Sequence, residues 1–218
     1  MCGVWGDSPA CELALWNRGV NIDSFTPARR SEALRTSICT SSSDIVLLWV
    51  GPLDPEKRPD IWFAVVKRLQ DDGLPVKALL MNRDSLPTSS TYDLSHVMIV
   101  DNLSEGALGE ALASGDILFM PGASADLDMV VSQSLSAGCP AIVGREHGGH
   151  LVDHGVNGFA CQCDDAEGFY QEVRMLVQNV ALRKQMSIAA RETAWRFDRN
   201  IMLQKMTRNF MVSNNYYF

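Results

Sequence analysis

From Asp44 onward, short apolar runs alternate with helix-length amphipathic stretches, and this alternation limits the fold more than any other feature of the 218-residue chain. Ile45-Val46-Leu47-Leu48-Trp49-Val50 is apolar throughout, as expected of a parallel strand covered on both faces. The run stops at Gly51. Pro59 then stands where a first helical turn tolerates its missing N–H, and Ile61, Trp62, Val65, Val66 and Leu69 recur on one helical face until Asp71-Asp72-Gly73. The unit repeats. The pattern predicts strands over 76–81, 96–100, 116–120, 140–143 and 158–161 and helices over 128–137, 166–177 and 181–195. Another helix runs from a Ser104 cap to Ala113, with Glu105 in its first turn where the helix dipole favours an acid. A short helical piece is expected over 148–154, and a last helix from a cap at Asp198 to about Met211. Strand and helix in steady alternation imply right-handed crossovers and one open, doubly wound parallel sheet of Rossmann-like type. Ligands on such sheets lie beyond the carboxyl ends of the strands. The loops starting at Gly51, Met81, Val100, Pro121 and Gly144 are therefore where chemistry is expected.

Bulk chemistry removes several classes. With 19 basic against 26 acidic residues the net charge is −7, which argues against nucleic-acid binding by bulk electrostatics. The charge is uneven. Arg183, Lys184, Arg191, Arg196, Arg199, Lys205 and Arg208 face only Glu192 and Asp198, so 183–208 carries +5 and residues 1–182 carry −12. This basic stretch admits three roles: a solvated helix face, a remnant interdomain surface, or attraction to anionic lipid headgroups. The six cysteines form no CxxC pair and have no His at zinc-finger spacing, so no metal is expected. Cys161-Gln-Cys163 reads as two small residues on one face of a strand. His147, His150 and His154 around Gly148-Gly149 look metal-like but suit a loop role better. There is no apolar run of ~18 residues and no signal peptide, so a cytoplasmic, reduced chain is expected, with peripheral membrane contact one option for 183–208. Asn102-Leu-Ser104 matches a glycosylation sequon by chance. No loop is a GxGxxG fingerprint or a GxxxxGK[ST] phosphate loop, which disfavours dinucleotide dehydrogenases and P-loop NTPases.

Several loops, taken together and in order, resemble the donor-binding half of a GT-B glycosyltransferase of family 4 (group 1). Leu15-Trp16-Asn17-Arg18-Gly19-Val20-Asn21-Ile22-Asp23-Ser24-Phe25-Thr26-Pro27 resembles the family's hinge between its two domains. Trp49-Val50-Gly51-Pro52-Leu53-Asp54-Pro55-Glu56-Lys57-Arg58-Pro59-Asp60 resembles its first phosphate-side loop. Ala113 to Pro121, Ser134-Leu135-Ser136-Ala137-Gly138-Cys139-Pro140 and Gly155-Val156-Asn157-Gly158-Phe159 are similar to later motifs. Within the family the wording is similar to enzymes that glycosylate lipids, such as sulfoquinovosyldiacylglycerol synthases.

The resemblance implies retaining transfer of a sugar from a nucleotide sugar, usually UDP-linked, with no essential metal or other cofactor. An Arg and a Lys of the first loop would hold the diphosphate as negative charge grows on it, an effect that often dominates enzymatic rate acceleration. A Glu-x7-Glu pair would hold the sugar and the ribose hydroxyls. Mapped position by position, Gly51 and Lys57 fall near the diphosphate, Lys57 being the candidate catalytic cation. Asn82 falls at the second-strand loop, Val100 and Asp101 near the base, Asp126 and Leu127 in the donor loop, and Gln133 near the ribose. Three key positions depart from the pattern. The Arg is Pro52, the first Glu is Ala125 and the second is Gln133. The Phe-Gly after the first Glu falls on Leu127-Asp128. The second-strand glycine loop reads Met81-Asn82-Arg83-Asp84, where side chains obstruct the backbone approach that glycine permits. Gln133 retains hydrogen-bonding capacity toward a ribose, whereas Ala125 has none. Losing one donor to developing charge costs roughly 10²–10³ in rate in measured cases. Asp126 and Asp128 add negative charge beside the phosphate position, and Arg58 and Arg83 are the candidate substitute cations.

The expected organisation is an N-terminal segment and hinge remnant over 1–43, a nucleotide-sugar-binding domain over 44–196, and a crossing helix and tail over 197–218. Only residues 1–14 precede the hinge-like segment, so an acceptor domain is expected to come from another chain or a longer version of this one. Ile201, Leu203, Met206, Phe210 and Met211 would then lie exposed. Two functions follow: a donor-binding domain, weak or inactive alone, or a degenerate, non-catalytic transferase-like module. Lys57 as a solvated loop lysine, and Trp16, Trp49, Trp62 and Trp195 as core or interdomain packing, are the bland alternatives.

Overall fold

Six parallel strands form one sheet in the order β3-β2-β1-β4-β5-β6. They are β1 (Ile45–Val50), β2 (Val76–Met81), β3 (Val97–Val100), β4 (Ile117–Met120), β5 (Ala141–Gly144) and β6 (Gly158–Cys161). This computed structural model describes residues 19–82, 92–101, 103–124, 126–146 and 150–214. Residues 1–18, Arg83, Asp84, Asn102, Ala125, His147 and the Gly148-Gly149 pair lie outside the described residues, as do the side chains of Phe210 and Met211. The seven helices among the described residues are α1 (Glu32–Ile38), α2 (Pro59–Asp71), α3 (Glu105–Ser114), α4 (Leu127–Ser136), α5 (Ala166–Gln178), α6 (Val180–Ala194) and α7 (Arg199–Asn214).

The strands form where the chain is apolar on both pleat faces. All six residues of β1 are buried, and they pair in register with β2 from Ile45↔Val76 to Val50↔Met81. Helices α2 and α5 pack together on one side, while α3, α4 and α6 pack in sequence with α1 on the other. Such double coverage is what a wholly apolar strand requires. Trp49 and Trp62 meet edge to face at 5.8 Å between sheet and α2, and Phe119 meets Phe169 at 5.5 Å between β4 and α5. Helix starts follow capping chemistry: Ser104 accepts from Ala107 N–H, Asp165 from Gly168 N–H and Asn179 from Leu182 N–H. Asp198 accepts from the N–H groups of Asn200 and Ile201 at the start of α7. Trp49 and Trp62 are core, whereas Trp195 is exposed beneath the Arg191 guanidinium. Ile201 and Leu203 are exposed, Met202 between them is buried, and Met206 is partly buried.

Two expectations are corrected. Residues 150–154 form no helix: after a turn at His150 and Leu151, the Asp153 carbonyl accepts from Val156 and Asn157 N–H in a turn through Gly155, whose φ of +80° a helix cannot hold. The buried Asn157 amide braces this loop by donating to Leu151 O and Thr193 Oγ1. Cys161 and Cys163 do not share a strand, because β6 ends at Cys161 and Gln162 enters the turn that leads to α5.

The order of strands reverses between β1 and β4. From β1 the chain winds outward through β2 to β3, then crosses back to β4 on the other side of β1. At such a switch point the chain leaves two neighbouring strands toward opposite faces of the sheet, and ligands of open α/β sheets bind beyond these strand ends.

Candidate functional site

The two loops at the switch point are 51–58, after β1, and 121–126, after β4. Gly51 turns the first loop with φ +106°, its N–H donating to Met81 O at 2.7 Å and its carbonyl accepting from Trp49 Nε1 at 2.9 Å. A Cβ on Gly51 would stand 3.1 Å from Lys57 Nζ, so the ammonium lies directly against this glycine. A single 3-10 turn over Pro55–Lys57 brings Lys57 inward, and Arg58 reverses the backbone with φ +55° before Pro59 opens α2. The second loop is equally close. Ala123 N–H donates to Glu56 O at 2.9 Å, and a Cβ on Gly122 would fall 2.3 Å from Lys57 Cα. Only glycine allows that approach.

Lys57 is a buried cation, and such a group requires a partner. Its Nζ meets Asp126 Oδ2 at 2.9 Å, with side-chain exposures of 5% for Lys57 and 58% for Asp126. Ser124 Oγ donates to the other oxygen, Oδ1. Partial burial works against the charge on Asp126, but hydrogen bonds from Ser124 and Lys57 and the Lys57 charge together hold its carboxyl below the ordinary carboxylate range. Helix α4 begins beside this pair and its dipole favours an anion there, although Leu127 N–H already donates to Ser124 O and Met129 and Val130 N–H to Asp126 O.

The structure brings Gly51, Lys57 and Asp126 together. Asn82 is buried at the end of β2, its N–H donating to Val100 O at 3.0 Å, so these two share a neighbouring strand end. Asp101 follows, exposed. Leu127 is buried in the first turn of α4, and Gln133 is buried further along it with no hydrogen-bond partner for its side-chain amide among the described residues. Pro52 is exposed. Arg58 does not turn toward Lys57: it pairs with Asp60 at 2.8 Å and reaches Cys163 O and Asp164 at 3.3 Å. His150 Nε2 lies 3.6 Å from Asp128. No group of three or more His, Cys, Asp or Glu able to hold a metal occurs among the described residues. Sequence reasoning missed Ser124 and Gly122. A Pro-Gly pair directly after a buried strand is the signal that could have marked Gly122 as a close-approach position.

The basic stretch is partly consumed internally. Arg183 donates to the Leu176 and Val177 carbonyls, Arg191 to those of Ile22, Phe25 and Ser136, and Arg196 pairs with Asp153 at 3.5 Å. Lys184, Arg199, Lys205 and Arg208 remain exposed. No helix among the described residues is long and apolar enough to cross a membrane.

The six-stranded parallel sheet and its flanking helices define a Rossmann-like domain of the kind found in the C-terminal half of GT-B glycosyltransferases. The HepE protein of Anabaena, solved with UDP and glucose, superposes with a TM-score of 0.73 at 17% identity, over 88% of this chain and 55% of that one. Sucrose-phosphate synthase of Thermosynechococcus elongatus gives 0.75 at 16% identity, over 91% and 52%. Residues 44–179 match the family described as glycosyl transferases group 1, and the chain belongs to that family. The chain is 27% identical over 198 residues to the sulfoquinovosyl transferase SQD2 of Arabidopsis thaliana, covering 88% of this chain and 38% of that protein. It is 29% identical over 188 residues to a GDP-mannose-dependent alpha-mannosyltransferase of Mycolicibacterium smegmatis, covering 82% and 46%. It thus spans less than half the length of either curated relative.

Proposed function

We propose that this domain binds the nucleotide-sugar donor of a retaining, metal-independent glycosyl transfer, with a UDP-sugar as donor and Lys57 as the cation for the diphosphate. The observation that carries the reading is the buried Lys57 ammonium, held against Gly51 at the switch point beside the start of α4. A buried ammonium next to the start of a helix is suited to a phosphate oxygen and would stabilise charge growing on a leaving diphosphate. Asn82, Val100 and Asp101 lie at the β2 and β3 ends, where a base would extend, and Gln133 supplies an amide for the ribose. UDP rather than GDP is chosen because HepE was solved with UDP, although the mannosyltransferase relative is named for GDP-mannose. Transfer itself would require an acceptor domain, since the chain covers 38% and 46% of the two curated relatives.

The test is calorimetric titration with UDP and GDP in the presence of EDTA. The expected result is saturable UDP binding between micromolar and millimolar, weakened at least ~10-fold by Lys57→Ala, with GDP weaker. No heat at millimolar UDP favours the second reading, a non-catalytic transferase-like module, for which the replacements Pro52 and Gln133 speak. The exposed cations Lys184, Arg196, Arg199, Lys205 and Arg208 support peripheral contact with anionic lipid. Co-sedimentation that is equal for neutral and anionic vesicles would remove that reading.

A further inference from the structure

This inference rests on the donor-binding reading and concerns how the site is regulated. Lys57 already has a counter-ion, and three features set Asp126 apart from an ordinary capping aspartate. It precedes α4 with helical backbone angles, φ −89° and ψ −8°, so its side chain is not used to cap the helix. Its two oxygens are instead divided between Lys57 Nζ, at 2.9 Å, and the Ser124 hydroxyl. It is also the exposed member of the pair while Lys57 is buried, so an anion arriving from solvent meets the carboxylate first.

We infer that Asp126 is a built-in competitor for the donor diphosphate, holding Lys57 until a phosphate oxygen displaces it. The displaced carboxylate needs no new partner in the fold, because it already faces solvent. Ligand entry is then an exchange of one anion for another at the same ammonium. The cost of that exchange is paid at the phosphate and is independent of the base.

Calorimetry on the full chain with UDP, inorganic pyrophosphate and uridine tests this in wild type, Asp126→Asn, Lys57→Ala and the double variant. Asparagine keeps the shape of the side chain and caps helices equally well. Asp126→Asn should tighten UDP and pyrophosphate about three- to tenfold, the scale of a half-exposed ion pair, and leave uridine unchanged. Adding Lys57→Ala should abolish the gain. Ser124→Ala, which frees one carboxylate oxygen but keeps the pair, should give a smaller gain of about twofold and serves if Asp126→Asn folds poorly. If wild type and Asp126→Asn bind UDP equally or the variant binds more weakly, while Lys57→Ala still weakens both, the inference fails and donor binding stands. If no variant binds UDP at millimolar concentration, both fail.

Discussion

Among the described residues two buried cations, each paired with an aspartate, lie at opposite ends of the strands of the same sheet. At the amino edge Arg35 meets Asp116 at 2.8 Å, with side-chain exposures of 10% and 15%. The remaining bonds of the pair go to backbone: Arg35 donates to Ser114 O and Asp44 O, and Asp116 accepts from Val46 N–H. Both partners are thereby locked to α3 and β1. At the carboxyl edge Lys57 is equally buried, but its carboxylate partner faces solvent and is steadied by one hydroxyl. Opening the first pair also breaks its bonds to the backbone at Ser114, Asp44 and Val46, whereas the second can trade its anion. Charge identity is the same in both; what differs is which partner is accessible, and that separates a structural pair from one built for exchange.

Breaking the amino-edge pair should have the largest effect. Arg35→Ala leaves Asp116 buried without its cation and should cost about 3–5 kcal/mol in denaturant unfolding, with UDP affinity, measured where the variant is folded, unchanged. A stability loss below ~1 kcal/mol would put the two pairs in one class. Gly122→Ala comes next. Its Cβ would overlap the Lys57 backbone, so the loops must part, costing about 1–3 kcal/mol and weakening UDP binding about as much as Lys57→Ala does. Wild-type affinity in this variant would show that loop contact does not position the ammonium.

The smallest effect is a pH slope. The Asp126 pKa is depressed in the folded state, so its contribution is fully present above the ordinary carboxylate pKa near ~4 and is lost as pH falls through the depressed value. Stability of wild type should therefore fall more steeply with acidification in that window than stability of Asp126→Asn. Parallel curves would mean that Asp126 gains nothing from Lys57.

The strands were readable because Ile45 to Val50 and their counterparts are apolar on both faces, a pattern loops and surface helices do not show. Helix α1 was not: it has seven residues, its buried member is Arg35, and an apolar face of only Leu34 and Ile38 is too short to announce it. The loop after His150 was not legible because its order comes from the buried Asn157 amide and a turn at Gly155 rather than from local periodicity. At the site, Gly51 and Lys57 could be found from the first-loop motif. The Lys57–Asp126 contact could not, since its partners are 69 positions apart and are joined only by the backbone approach that Gly122 allows. Position-by-position mapping showed Asp126 as an unfavourable charge near the phosphates, and only the folded loops reveal that the charge is spent on Lys57.

The central claim is that a nucleoside diphosphate enters at the switch point between β1 and β4 and is held by Lys57. Titration of the ¹⁵N-labelled chain with UDP, followed by amide shifts, tests it most directly. Saturable shifts at Gly51, Gly122 and Asp126 that vanish in Lys57→Ala are the predicted result. A spectrum unmoved at millimolar UDP, or shifts confined to the amino edge around Arg35, would contradict it.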